Sequence, residues 1–191
     1  MKKLNFLPLF LGILFFYSFL FAQEPSPKII LLISEQNIEG PQRAWWASEV
    51  DLSVTEAKIA TRLLEEGFVV LEPSNLSKII QKERAFRLVD LSEPQAIKLG
   101  NLSRADYVVL GKAIASSGAN VPHSKMTSCF ANITAKLIRV KDGKVLSYLE
   151  ASGNSAHLDK ITGGKEALTR AADEIALKII NALKNKERGN K

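Results

Sequence analysis

The sequence predicts an α/β fold, a mixed-sheet sandwich in which helices pack on the sheet. Apolar runs of strand length alternate with amphipathic helical segments in the first part of the chain. Two alternating strands then flank the Asp-Gly turn at Lys141–Lys144, and an amphipathic helix ends the chain. These observations predict the element order β-α-β-α-α-β-β-β-α, with helical connections early and hairpins late.

The chain begins with the features of an export signal. Lys2 and Lys3 precede an almost wholly apolar run from Leu4 to Phe21, and Ala22 ends that run before a polar segment. We therefore predict that residues 1–22 are a cleaved signal peptide and that the mature protein is periplasmic. An uncleaved inner-membrane anchor is the alternative, because the apolar run approaches the ~20 residues that a membrane-spanning helix needs.

The mature chain is long enough for a single α/β domain, which we place at residues 23–184. Residues 185–191 form a basic C-terminal tail. Outside that tail the charges are mixed in sign, so no nucleic-acid partner is expected. We interpret the tail as a solvated end, with peripheral contact to a membrane or the cell wall as the alternative.

The first predicted strand is the apolar run Lys28–Ser34, which suits a sheet covered on both faces. A loop follows over Glu35–Glu49. The capping box Ser53–Glu56 predicts a helix that continues to about Glu66, and Gly67 follows as a cap. This segment has the clearest helix boundaries in the sequence.

A second strand is predicted at Phe68–Leu71, followed by a helix that begins at Pro73. The box Ser92–Gln95 predicts a third helix, which Gly100 is expected to close. A third strand is predicted over Tyr107–Ile114.

The second part of the chain predicts a loop, a hairpin and a helix. Ser116–Ser128 is Gly- and Ser-containing and is predicted as a loop. Phe130–Val140 and Val145–Ala156 are the hairpin strands, and a final helix is expected from Gly164 to about Lys184.

Alternation in the first hairpin strand assigns its two faces. Asn132, Thr134 and Lys136 share the solvent face, and Ile138 and Val140 are expected on that wetter face as well. The core face comprises Ala131, Ile133, Ala135 and Leu137.

Three stretches of this sequence resemble a known group of bacterial envelope proteins. They are Glu66–Pro73, Leu99–Gly111 and Ala135–Leu146, and the most specific piece is Ala105-Asp106-Tyr107 followed by apolar residues. The pattern is similar to that of the TolB N-terminal domain, LpoB, CsgG and the FlgT middle domain. The resemblance implies an envelope protein that acts by binding other proteins, in flagellar assembly or peptidoglycan synthesis, and implies no catalytic residue.

Two tryptophans distinguish this chain from that pattern. Trp45 and Trp46 lie in the loop after the first strand, and adjacent residues of an extended loop point to opposite sides. We therefore predict that Trp45, Trp46 and the nearby Arg43 bind a partner protein, since exposed Trp is enriched at interfaces. The alternative is that both rings cover the end of the sheet.

Catalytic and metal sites are weakly supported by the sequence. Cys129 is the only cysteine, so it forms no intramolecular disulfide, and we expect a buried small apolar side chain. His123, Cys129 and His157 match no zinc-binding spacing. We predict neither an enzyme nor a cofactor. The alternatives are a ligand receptor or enzyme that uses residues 116–129, and a homo-oligomeric scaffold joined through a sheet edge.

The signal peptide can be tested by the mass of the mature protein. We expect the protein isolated from its own cells to begin at Gln23, because Ala22 ends the apolar run. Intact-mass spectrometry of the periplasmic fraction measures this. A full-length chain that begins at Met1 and remains in the membrane fraction would support the uncleaved anchor instead.

Overall fold

A five-stranded mixed sheet lies at the centre of the structure, a computed structural model that describes residues 26–40, 43–44, 52–82, 86 and 90–189. Side chains are described for all of these except residues 73–75, 81 and 186–189. The order of the elements confirms the predicted order and fold class. The elements are β1 Lys28–Gln36, α1 Val54–Glu65, β2 Val69–Leu71, α2 Pro73–Lys82, α3 Glu93–Ser103, β3 Tyr107–Asn120, β4 Thr127–Arg139, β5 Lys144–His157 and α4 Lys160–Gly189.

The strands lie in the order β2-β1-β3-β4-β5. β1 pairs in parallel with β2 and β3, because helices make those connections, whereas β3, β4 and β5 pair antiparallel. The predicted Asp-Gly turn joins β4 to β5, with Gly143 at a φ of 66°. Short β2 and long β5 are therefore the two edges of the sheet.

One face of the sheet, here called the closed face, is covered by α1 and α4. Ile33, Val109 and Ile133 of the sheet pack with Leu63 of α1 and Ile175 of α4 in a single buried cluster. In β4 the alternation places the predicted core residues on this face. Ala131, Ile133, Ala135 and Leu137 are all buried, as expected.

The described helices cover the opposite face, here called the open face, only in part. α2 and α3 contribute Leu76 and Leu99 to a smaller cluster with Leu32 and Val108. This cluster also contains Val140 at the end of β4, so the expectation that Val140 lies on a wet face is wrong. Ile138 is likewise fully buried, which corrects the same expectation for that residue.

Capping interactions fix the starts of α1 and α3, as predicted. Ser53 Oγ accepts a hydrogen bond from the Glu56 amide at 3.1 Å, and the Glu56 carboxylate accepts one from the Ser53 amide. In α3 the Ser92 amide donates to Gln95 Oε1 at 2.9 Å. Both boxes satisfy backbone donors that a helix start would otherwise leave unpaired.

The end predicted for α3 is wrong. The helix continues to Ser103, and Arg104 caps it in the left-handed conformation with a φ of 57°. Gly100 serves close packing instead, because a Cβ there would lie 2.7 Å from Val140 Cγ2. Helix α3 can therefore lie directly against the end of β4.

The loop predicted over Ser116–Ser128 is also wrong. β3 continues to Asn120 and β4 begins at Thr127, so only residues 121–126 form the turn. Ser116 pairs with Phe130 across the two strands. Pairing with a neighbouring strand overrides the weak strand propensity of Ser and Gly.

Helix α4 begins earlier and ends later than predicted. Asp159 Oδ2 accepts from the Thr162 amide at 2.7 Å, so the helix begins at Lys160 instead of Gly164, and it continues to Gly189. A hydrogen bond from the Thr162 hydroxyl, together with the one from the Thr162 amide, lowers the pKa of Asp159. Gly163 brings the helix close to β4, because a Cβ there would lie 2.5 Å from Cys129 Sγ.

A second close contact sets the distance between α4 and β5. A Cβ at Gly153 would overlap the Ala167 carbonyl oxygen and would lie 2.7 Å from the Ala171 nitrogen. Both are backbone atoms, which cannot rotate away as a side chain does. Helix α4 therefore approaches the sheet as closely as a glycine allows.

We expect Gly153→Ala to lower the free energy of unfolding by roughly 2–4 kcal/mol, because α4 must shift away from β5 to relieve the overlap. Ser152→Ala is the matched control. It changes the neighbouring residue on the opposite, exposed face, and should stay within about 0.5 kcal/mol of wild type. Urea unfolding measures both. Equal stability of the two variants would contradict the close packing.

Candidate functional site

The part of the open face that the described helices leave uncovered lies on β3, β4 and β5. The strand register places its side chains in rows that run across β3, β4 and β5. The row nearest α3 is Leu110, Lys136 and Tyr148. The next rows are Lys112, Thr134 and Glu150, then Ile114, Asn132 and Ser152, and finally Ser116, Phe130 and Asn154.

A cleft of about 470 Å³ occupies the first two rows. Leu32 and Leu110 contribute apolar surface to it, and Leu91, from the segment before α3, lines it as well. Tyr148 and Glu150 of β5 line the cleft at the edge of the sheet. The volume falls in the range of about 300–1,000 Å³ that is typical of binding pockets.

Two lysines in the cleft form ion pairs with acidic residues at or just before the start of α3. Lys112 Nζ lies 3.4 Å from Asp90 Oδ2, and Lys136 Nζ lies 3.0 Å from Glu93 Oε2. The hydrogen bond to Glu93 raises the pKa of Lys136. Lys136 Nζ also lies 5.4 Å from the centre of the Tyr148 ring, within the range of a cation–π contact. These contacts link the start of α3 to the strands.

Large apolar side chains are exposed on this face. Tyr148 has 74% of its surface exposed, Phe130 46% and Ile114 42%. Phe130 lies over Gly118 of β3, where a Cβ would come within 2.6 Å of the ring. A face with large exposed apolar residues beside a cleft has the composition of a protein-binding surface.

The edge of the sheet beside this face is partly blocked. Lys178 Nζ donates to the Glu150 carbonyl at 2.6 Å, and Arg170 Nη1 donates to the Asn154 carbonyl at 2.6 Å. Both cations come from α4 and occupy carbonyl groups along the β5 edge. An incoming strand would have to displace them to pair there.

Buried carboxylates join the end of β1 to the start of α1. Glu56 accepts from the Ile33 amide at 3.3 Å as well as from Ser53, and Glu35 Oε2 accepts from the Thr55 amide at 2.8 Å. Both glutamates are nearly inaccessible to solvent. Burial raises the pKa of Glu56 to about 7, with a smaller contribution from the nearby charge of Glu35.

Arg43 lies beside this carboxylate pair. Its backbone pairs with that of Glu35 through hydrogen bonds of 3.0 and 2.6 Å, and the residue is half-buried. Trp45 and Trp46 lie outside the described residues. Protein binding by Trp45, Trp46 and Arg43 therefore stays a prediction.

Cys129 is fully buried in the closed-face cluster, as predicted. Its Sγ lies 3.7 Å from the Thr127 carbonyl oxygen. His157 lies close to Gly163 near the start of α4, and its Nδ1 accepts a hydrogen bond from the Asp159 amide. His123 occupies the turn between β3 and β4. Within the described ranges, no three His, Cys, Asp or Glu side chains are grouped to hold a metal ion.

Sequence reasoning found only part of this surface. It assigned Asn132, Thr134 and Lys136 to the solvent face of β4, and it did not single out Ile114, Phe130 or Tyr148. These three residues could have been identified from the sequence, because each lies on the polar side of an alternating strand, where a large apolar residue is unusual. Among the residues that the structure describes, no helix is both long and apolar enough to cross a membrane.

Comparison with known proteins gives one family match. The family model described as the curli production assembly/transport component CsgG matches residues 22–173. The sequence has no significant match among curated proteins.

Several solved structures share similarity of fold at low sequence identity. Lipoprotein GNA1162 from Neisseria meningitidis is 14% identical, covering 84% of this chain and 99% of its own, with a TM-score of 0.44. The LpoB C-terminal domain from Salmonella enterica is 15% identical, covering 73% and 87%, with a TM-score of 0.41. The PelC dodecamer from Paraburkholderia phytofirmans is 14% identical, covering 83% and 86%, with a TM-score of 0.40.

The raised pKa of Glu56 predicts that the folded protein loses stability as pH rises from about 4.5 to about 7. In that window the folded state keeps a proton that the unfolded chain releases, so the free energy of unfolding falls, by at most roughly 3 kcal/mol. The pKa values of Asp142 and Asp173 are lowered in the folded state, so the stability that these two residues contribute changes with pH only below that window.

Glu56→Gln should remove this dependence, because Gln keeps the capping geometry without the titrating group. Urea unfolding of wild type and variant at pH 5, 6, 7 and 8 measures the difference. The wild type should lose more stability than the variant between pH 5 and 8. Parallel profiles for the two proteins would show that Glu56 does not titrate in that range.

Proposed function

We propose that this chain, which belongs to the family of the curli production assembly/transport component CsgG, is an exported, non-enzymatic protein that binds other proteins during assembly of the bacterial cell envelope. The family model covers most of the chain, including β1 to the middle of α4. Its description as an assembly and transport component supports a role in assembly. The N-terminal sequence supports export to the periplasm.

The open face is the observation that carries this proposal. It exposes Ile114, Phe130 and Tyr148 next to a cleft, on strands whose other face is packed against α1 and α4. Apolar residues on a rigid platform can bind a partner at little cost in conformational entropy. We propose that the protein serves flagellar assembly or peptidoglycan synthesis, on the resemblance carried by Glu66–Pro73, Leu99–Gly111 and Ala135–Leu146.

The loop after β1 is a second part of the proposed binding surface. Arg43 pairs with Glu35 at the carboxyl end of β1, so the chain that leads to Trp45 and Trp46 starts at that end of the sheet. Function on such folds resides in surface loops of this kind. We propose that Trp45, Trp46 and Arg43 add contacts to those of the open face.

The cleft favours one alternative function, a receptor for a small ligand, because its volume of about 470 Å³ suits one. Residues 116–129, the loop predicted from the sequence to hold such a ligand, are largely a strand hairpin. A receptor would therefore use the cleft beside Tyr148.

We expect Ile114→Lys/Phe130→Lys to lose binding to envelope proteins, because the two charges would be desolvated in the interface. Affinity capture from envelope extracts with the tagged mature protein, followed by mass spectrometry, measures this. Both residues are partly exposed, so the domain should stay folded.

The matched control is Leu64→Lys/Leu177→Lys, which changes two comparably exposed apolar residues on the helices of the closed face. It should retain the proteins that wild type captures, and Trp45→Ala/Trp46→Ala should reduce them. Loss in the control but not in the open-face variant would move the interface to the helices. Capture of no protein by wild type would favour the small-ligand receptor.

A further inference from the structure

We infer that the open face binds an amphipathic α-helix of a partner envelope protein, which lies along β4 and β5 beside α3. The inference rests on the proposed function and adds the chemistry of the partner. Three features of the face carry it: the width of the strip that the described helices leave uncovered, the spacing of the apolar residues there, and a charge on it that has no ion pair among the described residues.

The strip of β3, β4 and β5 that no described helix covers has the width of one helix. α2 and α3 cover the open face over β1 and the start of β3, and the strands from β3 to β5 extend beyond them. Two strand spacings span about 10 Å, which equals the diameter of a helix with its side chains. A helix placed there would complete the layer that α2 and α3 begin.

The apolar residues of the strip form two groups. Leu110 and Tyr148 lie level with Lys136, whereas Ile114 and Phe130 lie four to six residues further along β4. At about 3.4 Å per strand residue the groups are ~14–20 Å apart. That distance corresponds to about three turns of helix, so the partner needs two apolar clusters roughly 11 residues apart on one face.

One carboxylate between these groups is uncompensated. Glu150 lies in the row of Thr134, and its exposed carboxylate has no ion pair or hydrogen bond within the described part of the chain. The lysines of the strip are paired, Lys112 with Asp90 and Lys136 with Glu93. The complementary helix therefore carries a Lys or Arg between its apolar clusters.

The sheet edge favours binding on the face over addition of a strand. Lys178 and Arg170 hold the Glu150 and Asn154 carbonyl groups that an added strand would use. Because these hydrogen bonds engage only backbone carbonyl groups of β5, the side chains on the open face stay accessible to a partner. A helix satisfies its own backbone groups, so it requires no free edge.

Site-specific photo-crosslinking in the cells that produce the protein tests this inference. Benzoylphenylalanine replaces Ser152 on the open face in one strain, and Leu177 on α4 in a control strain. Mass spectrometry then maps the crosslinked residues. We expect the Ser152 position to crosslink a helical segment of another envelope protein with two apolar clusters about three turns apart and a Lys or Arg between them.

A synthetic peptide of that segment then tests the charge contact by fluorescence anisotropy. Glu150→Lys should weaken its binding by about tenfold, and replacing the facing cation of the peptide with Glu should restore it. Glu166→Lys, an exposed charge reversal on α4, should leave the affinity unchanged.

Other outcomes separate the two proposals. Crosslinks from Ser152 to a strand, to a second copy of this chain or to no protein would overturn the helix. If the Leu177 position still captured an envelope protein, the proposed function would stand. If neither position crosslinked another protein, both proposals would fail.

Discussion

The close packing of α4 against β4 and β5 is the constraint on which the rest of the structure depends. Gly153 and Gly163 remove the side chains that would separate the helix from the sheet. Ala167 and Ala171 present a similarly small surface from the helix side, and the Ser155 hydroxyl donates to the Gly163 carbonyl at 2.6 Å. Because this contact buries most of one face of the long strands, the hairpin strands can extend beyond α2 and α3 with the other face exposed.

The exposed face follows from that arrangement and accounts for the proposed function. The paired strands space the side chains of the exposed face regularly, as in the row of Lys112, Thr134 and Glu150. The surface ion pairs beside α3 add little stability, since exposed pairs contribute about 0–1 kcal/mol. Their effect is to position Lys112 and Lys136 and to leave Glu150 as the charge available to a partner.

The sequence predicted the parts of this fold that local chemistry determines. The capping box at Ser53, the Asp-Gly turn at Gly143 and the alternation in β4 each act within a few residues. Gly100 and Gly164 were misread as helix boundaries, because a glycine that permits close packing looks the same in sequence as one at the end of a helix. The second half of β3 was missed because Ser116 owes its strand conformation to pairing with Phe130.

The candidate site was less predictable, because alternation shows which residues leave the core but not whether another layer covers them. That depends on where α2 and α3 lie across the sheet. Methyl NMR of the labelled mature protein, titrated with solubilised envelope extract, tests the central claim most directly. The account predicts that the Ile114 and Leu110 methyl signals shift or broaden while those of Leu64 and Leu177 stay unchanged. Changes confined to Leu64 and Leu177 would contradict it and would place the binding surface on the helices of the closed face.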